Sequence, residues 1–164
     1  MKILAIDPGN TESAYVIWDG VKIHTAAKVA NAEMRCVLRD YIVSDQGVRT
    51  EVKCVAVEMI ASYGMAVGKS VFETCVEIGR LVQICHDRSV TPTLVFRMEV
   101  KQGICHSSKA NDSNIRTALM DRFGVKGTKK SPGFFYGFHA DVWAAFAVAV
   151  VVVDRNVKQL LEKI

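Results

Sequence analysis

The sequence lacks most of what would mark a stapled, zinc-bound or membrane-embedded chain. Its five cysteines, Cys36, Cys54, Cys75, Cys85 and Cys105, are odd in number and form no CxxC pair. That pattern argues against a disulfide framework and against a structural zinc site. Most of them sit among apolar neighbours and read as small core residues, which implies a reducing, intracellular compartment. No signal peptide is expected, because Met1 leads straight into a strand-like run. The longest apolar run, 142–153, has 12 residues and is bounded by Asp141 and by Asp154 and Arg155. It is too short to span a bilayer and reads as a buried helix or an oligomer face. There is no internal repeat, linker or low-complexity stretch. Nor is there a large surplus of either charge: the formal net charge is +4 over 164 residues, which permits a nucleic-acid partner without demanding one.

What is present is unevenly placed. Between Lys101 and Lys130 stand Lys101, Lys109, Arg116, Arg122, Lys126, Lys129 and Lys130, opposed only by Asp112 and Asp121. This stretch alone carries +5, more than the whole chain's surplus. A phosphate backbone selects for such clustering; a solvated helix face is the plainer reading. Half of the residues are hydrophobic, enough for one globular domain with a sizeable core.

The order of elements follows from periodicity and turn signals. Residues 2–6 form an apolar strand that Asp7-Pro8-Gly9-Asn10 interrupts. Strands at 13–18 and 21–29 flank Asp19-Gly20, a hairpin turn signal. Helical spacing of Met34, Val37, Leu38 and Tyr41 predicts a helix over 30–43. The run 53–57 is nearly all apolar, as in a strand covered on both faces, and it ends at Glu58. A helix over 66–86, with Val67, Val71, Ile78, Leu81 and Val82 on one side, precedes a strand at 93–96. Helices over 97–105, 111–123 and 140–163 follow, with a loop rich in Lys, Gly and aromatics at 126–137. The fold class expected is α/β: a mixed sheet flanked by helices, compatible with a ribonuclease H-like sheet and forming one domain over 1–164.

Two predicted strands end in acids, Asp7 and Glu58. Neighbouring strand ends build the sites of open α/β sheets. Partly buried like charges repel and resist desolvation, a cost that a divalent cation removes. Carboxylates with open positions suit Mg²⁺ or Mn²⁺. Asp141, opening the last helix, is the third candidate. Each acid also has a plainer reading: Asp7 as a turn former before Pro-Gly, Glu58 as a surface acid or cap, Asp141 as a helix N-cap. His139 either approaches the same ion from the loop or contacts phosphate. Phe134, Phe135, Tyr136 and Phe138, beside Lys126, Lys129 and Lys130, either stack on DNA bases or pack the loop onto the core.

The set of motifs is similar to that of the RuvC family of Holliday junction resolvases. Ile3-Leu4-Ala5-Ile6-Asp7-Pro8-Gly9 resembles the family's first signature and Val55-Ala56-Val57-Glu58 its second. Val100-Lys101-Gln102 and Ser108-Lys109 resemble its basic helix region. Ala140-Asp141 with Phe146-Ala147-Val148-Ala149 resembles its C-terminal signature. The matches run in the family's order over nearly the whole chain, and they resemble most the RuvC-like resolvases of lactococcal phages. The resemblance implies a ribonuclease H-like fold, a homodimer acting on four-way and branched DNA, and Asp7, Glu58 and Asp141 as ligands of Mg²⁺ (or Mn²⁺), two ions per site. It implies that Lys101 and Lys109 lie near the scissile phosphate or contact the backbone. It also implies a cytoplasmic setting, that of an infected bacterium for a phage protein. Neither a membrane nor a small-molecule cofactor is expected.

Two positions depart from the family. The second acid of its last signature falls here on Ala144, three residues after Asp141. Three explanations stay open: His139 substitutes from the loop, three carboxylates suffice, or Ala144 stands where an inactivated variant has lost an acid. The aromatic that bacterial members carry three residues past the glutamate is Ala61 here, and nearby Tyr63 either stacks on an unpaired base or is a loop tyrosine with a wet hydroxyl. The rival classes are another nuclease on this fold, such as a ribonuclease H, a junction binder that does not cut, and an ASKHA-type phosphotransferase, for which the chain is too short.

Overall fold

The computed structural model describes residues 2–42, 52–62, 64 and 66–162. In chain order its elements are β1 (Lys2–Asp7), β2 (Glu12–Trp18), β3 (Ile23–Ala30), α1 (Asn31–Tyr41), β4 (Val52–Met59), α2 (Lys69–His86), β5 (Thr93–Phe96), α3 (Arg97–Cys105), α4 (Asp112–Phe123) and α5 (Val142–Leu161). The strands form one five-stranded sheet in the order β3-β2-β1-β4-β5. β1 pairs antiparallel with β2, and β2 with β3. β4 runs parallel to β1 and β5 parallel to β4. This is the mixed sheet flanked by helices that the sequence predicts.

Side chains alternate across the sheet with a period of two, and each face has its own core. Ile3, Ala5, Ala14, Val16, Trp18, Ala56 and Val95 face α3, α4 and α5. Leu4, Ile6, Tyr15, Ile17, Val55 and Val57 face α1 and α2. The same alternation puts Asp7, Glu58 and Lys28 on the α5 face. Ala5, Ala14 and Ala56 are fully buried there, as are Ala145, Ala147 and Ala149 of α5. Small residues on both sides let this helix lie close to the central strands. Phe146, fully buried among Trp18, Phe123, Phe135 and Phe138, closes the layer. Its truncation to alanine would cost about 3–5 kcal/mol.

Several expectations are refined. The 142–153 run is buried in the chain's own core except at half-buried Ala144 and Val153, so it cannot be the oligomer face that its apolarity also allowed. Phe135 and Phe138 are buried and Phe134 packs against them; these three rings anchor their loop instead of facing DNA, and only Tyr136 is exposed. Cys36 is exposed and only Cys85 fully buried, because Cys36 falls on the outer side of α1. Helix α2 begins at Lys69 rather than 66, with exposed Val67 outside it, and β3 begins at Ile23, leaving Val21 in the turn. Tyr63 and Val43 lie outside the described residues. Among the described residues no helix is long and apolar enough to cross a membrane.

Candidate active site

The pairing register brings the acids together. Ile6 is level with Val57 in the parallel β1–β4 pair, so the next residues, Asp7, the last of β1, and Glu58, the last but one of β4, stand side by side. The chain then turns sharply at Gly9, where a Cβ would lie 2.4 Å from the carbonyl oxygen of Glu12; only glycine fits this turn. Asn31 fixes the same turn from below. Its side chain donates to the Gly9 carbonyl at 3.0 Å and accepts from the Ser13 hydroxyl at 2.8 Å. Asp141 arrives from the other side, one residue before α5. Ala140 before it has φ 35°, a left-handed conformation costly for a residue with a Cβ. Asp141 makes no side-chain capping bond; its carboxylate instead accepts from Lys28 Nζ at 2.8 Å. Lys28 sits in the same row across the sheet as Asp7 and Ala14.

Asp7, Glu58 and Asp141 line one open pocket of about 430 Å³, with Arg97, Asp112, Ile115, Arg116, Ala140, Trp143 and Ala144. Burial, then the charge and hydrogen bond of Glu58, then Asp141, push the Asp7 carboxyl up to about 8, against the pull of Arg97. Burial also raises Glu58, although Arg97 and the hydrogen bond from Asp7 draw it back. An acid group that holds its proton to neutral pH beside two others marks a site built for positive charge. All the donors are carboxylate oxygens, the chemistry that suits a hard divalent ion. Among the described residues no three His, Cys, Asp or Glu side chains are gathered as a finished metal cage. The positive charge comes instead from Lys28 on Asp141 and from Arg97. Arg97 Nη1 lies 3.4 Å from Glu58 Oε1, and its Nη2 donates to Asp112.

The other expected residues lie elsewhere. His139 is exposed and outside the lining of this pocket, whereas Ala144 lines it. Lys101 is half-buried on α3 and outside the lining. Lys109 lines a separate cleft with Cys105, Ser107, Ala110 and Asn114. Lys126, Lys129 and Lys130 are exposed on a loop closed by a bridge between Gly127 and Pro132.

Sequence reasoning missed Arg97, Asp112 and Lys28. The signal for Arg97 was there: it directly follows β5, whose Phe96 pairs with Met59, so it had to fall at the edge where Glu58 ends. Asp112 was visible only as an acid opposing a basic stretch. Lys28 needed the β2–β3 register.

Neither a family model nor a curated protein sequence matches the chain. Solved structures do. A Thermus thermophilus RuvC in complex with a Holliday junction substrate superposes with a TM-score of 0.69 at 16% identity, covering 92% of each chain. A further Thermus thermophilus RuvC structure matches with a TM-score of 0.67 at 15% identity and the same coverage. The chain has the RuvC fold. At this identity the likeness is one of architecture: a mixed five-stranded sheet with flanking helices, of the ribonuclease H-like kind.

Proposed function

We propose that this chain is a structure-selective DNA endonuclease that resolves four-way (Holliday) or branched junctions by divalent-metal-dependent phosphodiester hydrolysis. The observation that carries this reading is the convergence of Asp7, Glu58 and Asp141, from β1, β4 and the start of α5, on one pocket of a RuvC-type fold. These three would hold Mg²⁺ or Mn²⁺, two ions per site. When bound, such ions activate a water and neutralise charge on the leaving oxygen.

The chain's own residues account for the rest. The Asn31-braced turn at Gly9 keeps Asp7 aimed into the pocket. Lys28 orients Asp141. Trp143 and Ile115 give the open pocket an apolar wall. Arg116, over the Trp143 ring at 5.3 Å, adds positive charge at the rim. Lys101 and Lys109 would contact the DNA backbone flanking the cut, and Lys126, Lys129, Lys130, His139 and Tyr63 the arms beyond. Such contacts orient DNA without reading its sequence. A two-fold dimer matches a two-fold junction. Phe72 and Val76, exposed one turn apart on α2, support that helix as the dimer face. The setting would be a bacterial cytoplasm, during phage infection if the resemblance to phage resolvases holds.

The test is a labelled synthetic four-way junction, incubated with Mg²⁺ or Mn²⁺ beside linear duplex and RNA–DNA hybrid. Symmetric nicking of the junction alone is expected. Cutting of the hybrid in preference would move the assignment to a ribonuclease H. A second reading, a junction binder that does not cut, is favoured by one observation: Ala144 lines the pocket where an acid is expected. Under that reading Ala144→Asp, three residues after Asp141 and hence on the same side of α5, converts binding without cleavage into cleavage.

A further inference from the structure

Cleavage by bound metal does not of itself require an arginine in the pocket, yet one stands there. Arg97 is the first residue of α3, and its backbone is pinned. Glu99 accepts from the Phe96 amide at 2.6 Å and from Arg155 at 2.8 Å. The Arg97 guanidinium is divided between two carboxylates, and the bond from Nη2 to Asp112 is the closer of the two. The contact to Glu58 is 3.4 Å, long for a charge-assisted bond, which normally closes to about 2.7–2.9 Å. The other partner, Asp112, is largely exposed. The guanidinium also stands between two clefts. One holds Asp7, Glu58, Asp112 and Asp141; the other is lined by Asp7, Pro8, Glu58, Met59, Ile60 and Ala61. A planar fork that reaches Glu58 only at long range and lines open space on two sides can swing about its bond to Asp112, and its geometry suits the paired oxygens of a phosphate.

We propose that Arg97 stands in for a divalent ion in the free protein and, on metal entry, turns to hold the DNA phosphate at the cut site. It competes with metal for Glu58 when no DNA is present, so an idle site stays assembled but inactive. Once Glu58 is engaged, the guanidinium is left with one of its two anions and takes a phosphate in exchange for the other. This inference rests on the metal-dependent reading above and adds to it a coupling between metal and DNA that runs through one side chain.

The test measures Mn²⁺ binding to the DNA-free protein by electron paramagnetic resonance, and four-way junction binding in Ca²⁺ and in chelator. It compares the wild type with Arg97→Gln and Arg97→Lys. Arg97→Gln should bind Mn²⁺ at least roughly tenfold more tightly, because it removes an opposing charge a few ångströms from the ion. It should bind the junction several-fold more weakly in Ca²⁺ and nearly as well as the wild type in chelator. Arg97→Lys keeps the charge without the fork, so it should keep wild-type Mn²⁺ affinity and lose part of the Ca²⁺-dependent junction affinity; it also serves if the glutamine variant fails to fold. Unchanged or weaker Mn²⁺ binding in Arg97→Gln overturns the proposal, as does full junction affinity in Arg97→Lys. A wild type that binds Mn²⁺ while Arg97→Gln matches it defeats this inference alone; a wild type that binds no Mn²⁺ defeats the metal-dependent reading as well.

Discussion

Two buried glutamates on opposite sides of the sheet are handled in opposite ways. Glu77 on α2 is 1% exposed. It accepts two bonds of 2.7 Å from Arg35 of α1 and one of 3.2 Å from Arg80. It is saturated, and it ties α1 to α2. Glu58 on β4 is 9% exposed. It has one long contact to an arginine that it shares with Asp112, and a hydrogen bond from Asp7, an acid whose own carboxyl is pushed up to about 8. A buried acid with complete partners is a structural device; a buried acid with incomplete partners, opening onto a pocket, is held ready for something else.

That contrast can be broken at either end. The largest effect is expected from Glu58→Gln, which should reduce junction cleavage by roughly 10³-fold, the scale of losing one preorganised charged group at a reacting centre. Metal-free thermal stability should hold or rise, because the substitution removes an under-paired charge. Glu77→Ala should do the reverse: a loss of about 3 kcal/mol, since it strands a half-buried arginine, seen as a fall in Tm of roughly 6–12 °C for a domain of this size, with Mn²⁺ affinity unchanged. The smallest effects belong to the exposed loop. Alanine at Lys126, Lys129 or Lys130 should weaken junction binding a few-fold and lower the slope of its salt dependence by about one for each phosphate left without its lysine, while leaving cleavage of bound junction intact.

The fold was readable because its signals are periodic. The strand ends at Asp7 and Glu58 and the long apolar helix after Asp141 follow from runs of Ile, Val and Ala that local chemistry decides. The acids were readable for the same reason: each closes an apolar run where stability gives no cause for a charge. The pocket's counter-charges were not. Lys28 sits in a strand of mixed polarity, and only the antiparallel register aligns it with Asp7. Asp112 opens a helix, where an acid is ordinary, and it reaches Glu58 only through Arg97. The aromatic loop was ambiguous because Phe134, Phe135 and Phe138 beside lysines suit either DNA or a core, and the choice depends on Phe123 and Phe146, whose rings meet theirs only in the fold.

The central claim, that the acids at the strand ends are an under-compensated set awaiting a divalent ion, is tested most directly by thermal melting with and without Mg²⁺ between pH 4 and pH 9. The Asp7 carboxyl ordinarily titrates near 3.8 and in the fold near 8. The fold therefore keeps a proton that the unfolded chain releases, and across that window the metal-free protein should lose stability as pH rises. Mg²⁺ should oppose that loss, with a stabilisation that grows towards pH 8, and Asp7→Asn should shrink both the decline and the Mg²⁺ effect. Glu58, itself raised by burial, keeps a smaller share of the decline in Asp7→Asn. A flat metal-free profile together with no Mg²⁺ shift at any pH would contradict the account.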